Sequence, residues 1–205
     1  RLTRLFSKKG GNEITREEII ALASLGHKEG TLFSQENEYL SNLLRLRDVH
    51  TEEILTPRSV VHMLHKDLTV TEALDNPKTL QFSRMPIYGN DNDDIQGIVI
   101  RADLFEAERL GQGLRPILEC AQPAFRVSER LPVHNLLDLF IKQKAHLFMV
   151  EDEFGQTSGV VTLEDAIETL LGREIVDESD TVEDMQALAR SKYRSRLREG
   201  KVKST

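Results

Sequence analysis

Thr162 and Asp165, three residues apart, are the residues of this chain best suited to hold a phosphorylated ligand. They lie where a predicted strand gives way to a predicted helix. The first turn of a helix offers unpaired backbone N–H groups and a partial positive charge, which suit phosphate oxygens. A threonine hydroxyl there can bond a phosphate, and a carboxylate one turn on can accept both hydroxyls of a ribose. The pair therefore predicts a nucleotide site at this helix.

The same two residues also have the form of a helix N-cap pair, whose role is purely structural. Taken by themselves, they favour this second interpretation over ligand binding. The choice between the two depends on the elements that position the pair.

The chain from Ile54 onward contains two copies of one pattern, which is the signature of an internal repeat. The copies match at positions separated by 62 or 63 residues: Gly97 with Gly159, Val99 with Val161, Asp103 with Asp165, and residues 68–70 with 131–133. Each copy predicts a strand, a helix, two strands and a second helix. The predicted ranges are 60–64, 71–76, 85–88, 95–100 and from 102 in the first copy, and 124–127, 132–143, 147–150, 159–161 and 163–171 in the second.

A βαββα unit leaves one apolar sheet face that it covers poorly by itself. Two pseudo-symmetric units bury these faces against each other, which predicts an α/β (α+β) fold packed through its sheets. The interface creates a cleft on each side, a common place for a small ligand. In the first copy Ile100 replaces the hydroxyl of Thr162 while Asp103 keeps the aspartate. We therefore expect one working site in each chain.

Two helices are predicted before the repeats. Thr15 and Glu18 have the form of a capping box, followed by apolar residues at helical spacing. Gly26 and Gly30 are stop signals, and Ser34 begins the second helix.

Composition narrows the class of protein. The chain has 205 residues, 39% of them hydrophobic, and no apolar run near the roughly 20 residues that a membrane-spanning helix needs. The single cysteine, Cys120, cannot form an internal disulfide, and no secretory leader is evident, which favours a cytoplasmic setting. A net charge of -7 argues against nucleic acid as a partner.

Three segments carry a resemblance to the tandem CBS-domain pair, or Bateman module, of the CNNM/CorC (hemolysin-like) group of magnesium- and cobalt-associated membrane proteins. They are residues 54–58 (Ile-Leu-Thr-Pro-Arg), 82–88 (Phe-Ser-Arg-Met-Pro-Ile-Tyr) and 159–165 (Gly-Val-Val-Thr-Leu-Glu-Asp). The resemblance implies a helical lead-in over 1–53 that follows an absent membrane domain, CBS repeats over 54–116 and 117–172, and an acidic then basic tail over 173–205. It also implies the cytoplasmic domain of an inner (plasma) membrane protein.

The resemblance implies an adenine-nucleotide site and favours the binding role for the threonine and aspartate. By position in the family the site residues are Thr56, Val61, Ser83, Arg84, His146, Thr162 and Asp165. Val61 would flank the adenine, while Arg84 and His146 would meet the phosphates, with Arg58 as a further phosphate contact. Alternatively, Arg84 pairs with a neighbouring acid and His146 is an ordinary residue at the beginning of a strand.

The implied function is a regulatory module that senses ATP, with Mg²⁺ arriving on the phosphates, and couples it to the shape of a homodimer. The dimer is expected to use apolar helix faces near Thr71 and Leu163. An AMP sensor and a purely structural dimerisation domain are the alternatives. The chain is not expected to be an enzyme, because no water-positioning base with metal carboxylates is evident. A metal site at His62 and His65 is not expected either.

Overall fold

The computed structural model describes residues 14–173. The tail predicted over 173–205 therefore lies outside the described residues from position 174 onward. Among residues 14–173, none of the helices combines the length and the apolar character that crossing a membrane requires.

The lead-in consists of helices α1 (Arg16–Lys28), α2 (Ser34–Arg45) and the short α3 (Thr51–Ile54). The predicted capping box at the beginning of α1 is confirmed, since the Glu18 N–H donates to Thr15 Oγ1 at 3.2 Å and the Thr15 N–H donates to Glu18 Oε2 at 3.0 Å. Gly30 follows the end of α1 with φ of +78°, which is favourable for glycine, whereas Gly26 lies inside the helix.

The two repeats contain the remaining elements. The first comprises β1 (Thr56–Pro57), β2 (Leu64–His65), α4 (Val70–Leu74), β3 (Arg84–Tyr88), β4 (Ile95–Ile100) and α5 (Arg101–Arg109). The second comprises β5 (Arg126–Ser128), α6 (Val133–Gln143), β6 (Leu147–Glu151), β7 (Thr157–Thr162) and α7 (Leu163–Leu171). Turns of 3₁₀ helix lie at Thr79–Gln81 and Ile117–Cys120. This is the α+β fold that the repeat pattern predicts.

The strands form two sheets, with the orders β2-β3-β4 and β1-β7-β6-β5. Strand β1 lies at the beginning of the first repeat but pairs antiparallel with β7 of the second, with Thr56 opposite Val160. In the same way Gln122, near the beginning of the second repeat, bridges to Ile98 of the first. Each repeat therefore gives its leading segment to the sheet of the other.

The strand expected over 60–64 is wrong for most of its length. Pairing begins only at Leu64, which lies opposite Ile87, and the preceding residues connect β1 with β2 without regular pairing. The strand at Thr56–Pro57 is the one that the sequence pattern missed. The physical reason is that the partner of β1 lies about a hundred residues further along the chain, so no local periodicity marks it.

Two glycines at equivalent positions permit these exchanges. A Cβ at Gly159 would collide with the carbonyl oxygen of Thr56, and a Cβ at Gly97 would lie 2.9 Å from the carbonyl oxygen of Gln122. Any larger residue would displace the incoming segment, so the matched glycines found in the sequence serve close backbone approach.

Each repeat has its own core, and a third cluster joins the two sheets. Leu46 of the lead-in is buried in the core of the second repeat, so the lead-in packs against that repeat. The joining cluster contains residues from both sheets and from the segments that lead into them: Ile98, Leu147, Met149 and Val160, with Val61, Ile95 and Ala124 packed against them. The two repeats are thus packed through their sheets, as predicted.

Candidate functional site

The junction of β7 and α7 brings Thr162 and Asp165 into direct contact. Thr162 has an extended backbone, with φ of -106° and ψ of 164°, and is the N-cap of α7. The Asp165 N–H donates to Thr162 Oγ1 at 3.2 Å, while Asp165 Oδ2 accepts the Thr162 N–H at 2.7 Å and the Thr162 hydroxyl at 2.8 Å. The capping interpretation is therefore realised in the structure, and both side chains are half-buried at the beginning of the helix.

Thr56 lies on β1 and His146 lies just before β6, the two strands that flank β7. Thr56 is opposite Val160, two residues from Thr162, which corresponds to roughly 7 Å along a strand. His146 immediately precedes β6, and its carbonyl oxygen accepts the Leu163 N–H at 3.1 Å. The exposed imidazole of His146 makes no hydrogen bond or ion pair within residues 14–173. Thr56, His146, Thr162 and Asp165 therefore share one end of the four-stranded sheet.

Val61 lies on the connection between β1 and β2, and packs half-buried against the cluster that joins the sheets. Its counterpart in the second repeat is Ala124, which packs against the same cluster. Val61 is therefore suited to the expected contact with the adenine ring, because the cluster it packs against lies between the two sheets.

Ser83 and Arg84 occupy the equivalent corner of the other sheet. Arg84 lies opposite Ile100 at the beginning of β3, and the Ser83 carbonyl oxygen accepts the Arg101 N–H at 2.9 Å. They correspond to His146 and Leu147 in the second repeat, so the fold does not place them on the strands that carry Thr162. No acid in the described part of the chain pairs with the half-buried Arg84, whose guanidinium forms no hydrogen bond there.

The strand-to-helix junction of the first repeat lacks the features of its counterpart. Ile100 is the N-cap of α5 and supplies no side-chain hydrogen bond. Asp103 is exposed, and Gln122 occupies the place that Thr56 has beside the other sheet. The two junctions therefore differ in residue type at two polar positions, and the aspartate that both have is half-buried at one junction and exposed at the other.

Arg58, expected as a further phosphate contact, pairs with an acid of the first repeat in this structure. Its backbone N–H donates to the Ser158 carbonyl oxygen at 3.0 Å, near the beginning of β7 and away from Thr162. Its guanidinium lies 3.4 Å from the carboxylate of Asp93. No signal in the sequence distinguishes Asp93, because it belongs to an acidic turn that resembles any solvated loop.

The two histidines of the first repeat have structural partners. His62 Nε2 lies 3.2 Å from Thr79 Oγ1, and its ring stacks on Phe82. Burial, together with the positive charge of Lys78, lowers the pKa of His62. His65 packs edge-on against Tyr88. Within residues 14–173, no group of three or more histidine, cysteine or acidic side chains could hold a metal ion.

The sequence matches one protein-family model and several curated relatives. The family model described as "CBS domain" matches residues 47–109 and 118–172. The chain is 37% identical to the UPF0053 protein sll1254 of Synechocystis sp., over 89% of this chain and 52% of that protein. It is 31% identical to the magnesium and cobalt efflux protein CorC of Escherichia coli, over 90% of this chain and 62% of that protein. The chain thus spans about half the length of these curated relatives.

Solved structures of CBS domains also match this chain. The CBS domain of the bacterial CNNM/CorC family Mg²⁺ transporter superposes with a TM-score of 0.74 at 30% identity, covering 80% of this chain and 100% of that chain. The same domain in complex with ATP gives a TM-score of 0.64 at 31% identity, covering 68% and 99%. A CBS-domain pair from Klebsiella pneumoniae with bound AMP gives 0.50 at 25% identity, covering 60% and 99%.

Proposed function

Since this chain belongs to the CBS-domain family, as a CBS pair of the CNNM/CorC group, we propose that it is the adenine-nucleotide-binding regulatory module of a magnesium or cobalt transport or efflux protein. The observation that carries the proposal is the difference between the two strand-to-helix junctions. One combines Thr162, Asp165, Thr56 and a free imidazole at a helix N-terminus, and the other does not.

The capping box prepares the site for a phosphorylated ligand. It holds the Thr162 hydroxyl and the Asp165 carboxylate at the beginning of α7, where the helix dipole favours negative charge. Asp165 would accept the ribose hydroxyls, and Thr162 and His146 would meet the phosphates, while Thr56 and Val61 would face the adenine. Ser83 and Arg84 are included in the proposed site because they match the family pattern. They lie at the beginning of β3, in the sheet that does not contain Thr162.

ATP is the proposed ligand, and Mg²⁺ would arrive with its phosphates. A magnesium ion that keeps several waters and bridges phosphate oxygens needs few protein ligands. A relative with bound ATP supports this choice, and the AMP complex of another CBS pair supports AMP as the second candidate. The third candidate, a purely structural dimerisation domain, requires that neither cleft bind a nucleotide.

The module would act by changing the shape of a homodimer and passing that change to the membrane domain of the same protein. This places it at the cytoplasmic face of an inner (plasma) membrane. No catalytic role is proposed, and nucleic acid is not a proposed partner.

Calorimetric titration of the 205-residue chain with AMP, ADP and ATP, each with and without Mg²⁺, tests the proposal. We expect one site per chain and tighter binding of ATP when Mg²⁺ is present. Tighter binding of AMP than of Mg²⁺–ATP would favour the AMP sensor. Absence of a heat of binding with all three nucleotides would favour the purely structural dimerisation domain.

A further inference from the structure

The turn between β3 and β4 carries an acid that reaches into the other repeat. Asp93 Oδ1 accepts the backbone N–H of Thr157 at 2.7 Å and lies 3.4 Å from Arg58 Nη1. Thr157 is the first residue of β7, and Arg58 directly follows β1. One carboxylate oxygen of the first repeat therefore contacts both strands of the β1–β7 pair.

The β1–β7 pair needs such a contact because it is short. Strand β1 has two residues, and one of them, Pro57, has no N–H to donate. The pair ends where the Arg58 N–H donates to the Ser158 carbonyl oxygen, and β6 has no residue opposite Ser158 at this irregular point of its ladder with β7. Asp93 accepts the N–H of Thr157, one residue before Ser158 in β7, and so contacts β7 just beyond the end of its pairing with β1.

We propose that Asp93 is a positioning residue for the site at Thr162, which fixes β1 against β7 and thereby holds Thr56 in place. The inference rests on the proposed nucleotide function of that site. Asp93 lies at the opposite end of β7 from Thr162, so it does not touch the ligand itself. It acts through the position of β1.

The two contacts of Asp93 contribute unequally. The Arg58 and Asp93 side chains are 49% and 42% exposed, so the ion pair between them is screened by water and contributes little. The bond from the Thr157 N–H is shorter and partly buried, and a carboxylate acceptor strengthens it. An asparagine at position 93 would keep an oxygen acceptor for this N–H while losing the charge that faces Arg58.

Titration of the 205-residue chain with Mg²⁺–ATP tests the role on three variants. We expect Asp93→Ala to weaken binding about three- to tenfold, the size of one lost hydrogen bond. Asp93→Asn should restore the affinity to within about twofold of the wild type, because the acceptor is kept. Asp75→Ala removes an exposed carboxylate of the same repeat that has no ion pair in residues 14–173, and it should leave binding unchanged.

Amide hydrogen exchange without nucleotide gives a second readout that does not depend on the proposed function. In Asp93→Ala the amides of Thr157 and Arg58 should exchange about tenfold faster, while the core amide of Val161 stays protected. Faster exchange with wild-type affinity, or unchanged exchange in a folded variant, overturns the positioning role. Absence of nucleotide binding to the wild type overturns the proposed function instead.

Discussion

Capping and ligand binding are compatible roles for the pair at the beginning of α7. The hydrogen bonds between Thr162 and Asp165 satisfy backbone donors that a helix end leaves unpaired, and they also fix both side chains beside the positive end of the helix. The first repeat shows what happens without this pair, since Ile100 leaves α5 without a side-chain cap. A test at this position must therefore separate stability from affinity.

Replacement of Asp165 by alanine removes both roles. We expect about 1 kcal/mol of stability to be lost with the cap, and nucleotide affinity to fall roughly ten- to a hundredfold with the charge-assisted hydrogen bonds. Thermal unfolding without ligand and calorimetry with Mg²⁺–ATP measure the two effects. Asp103→Ala is the matched control at the equivalent position of α5, where the exposed carboxylate has no capping partner, and it should change neither quantity. A lowered melting temperature with unchanged affinity of the folded Asp165→Ala chain would contradict the binding role.

His62 predicts a pH dependence of stability. Its pKa is lowered in the folded state by burial and by Lys78, so the unfolded chain binds the proton more readily. The stabilising contribution is therefore present above the ordinary histidine pKa and is lost as the pH falls toward the lowered folded value. We expect urea unfolding to show less stability at pH 5 than at pH 7, and His62→Gln to reduce this difference. An equal difference in both proteins would mean that other groups cause it.

At the scale of elements, the decisive feature is the exchange of leading segments between the repeats. Thr56 reaches the second sheet, and Gln122 reaches the first, each beside a glycine that leaves room for its backbone. The exchange makes the surroundings of Thr162 a product of both repeats. If Thr162 binds nucleotide as proposed, the affinity depends on a short strand that contributes little stability by itself.

The two glycines provide a matched pair of variants. Gly159→Ala places a methyl group against the Thr56 carbonyl oxygen and should displace β1, lowering both the melting temperature and the affinity for Mg²⁺–ATP. Gly97→Ala should also destabilise the chain, by about 1–3 kcal/mol, because it crowds Gln122. Its affinity for Mg²⁺–ATP should stay close to that of the wild type, since it disturbs the other cleft. Equal losses of affinity in the two variants would show that the clefts are not independent.

The molecule as a whole is pseudo-symmetric in its backbone and asymmetric in its exposed side chains. The helix faces expected to form the dimer, on α4 and α7, are partly buried within the chain, since Leu74, Leu163 and Leu170 pack against the cores. Four other apolar residues on α5 and in the segment after it are exposed: Phe105, Leu110, Leu114 and Leu118, with Leu114 87% exposed. These residues are the candidate surface for a second copy.

We expect sedimentation at micromolar concentration to show a homodimer that uses this surface. Leu110→Glu would place a charge in the interface and should shift the chain toward the monomer. Ile141→Glu is the matched control, because Ile141 is 73% exposed on α6, a helix of the other repeat. A wild-type chain that sediments only as a monomer would contradict the expected dimer.

The sequence by itself determined those features that local signals specify. Capping residues and apolar spacing placed the beginnings of α1 and α7, and the matched residues 62 apart identified two repeats and their order of elements. The difference between Thr162 and Ile100 could be found in the same way, because the repeat supplies its own comparison. Short motifs such as these capping boxes depend on neighbouring residues only, so the folded chain keeps them.

Only the tertiary structure decided which segments meet. Strand β1 joins the sheet of the other repeat, Ser83 and Arg84 lie in the sheet that does not carry Thr162, and Asp93 reaches across to Thr157. None of these contacts leaves a periodic trace in the sequence. The reason is physical: a strand of two residues has almost no pattern of its own, and its partner is chosen by the packing of two whole repeats, not by its neighbours along the chain.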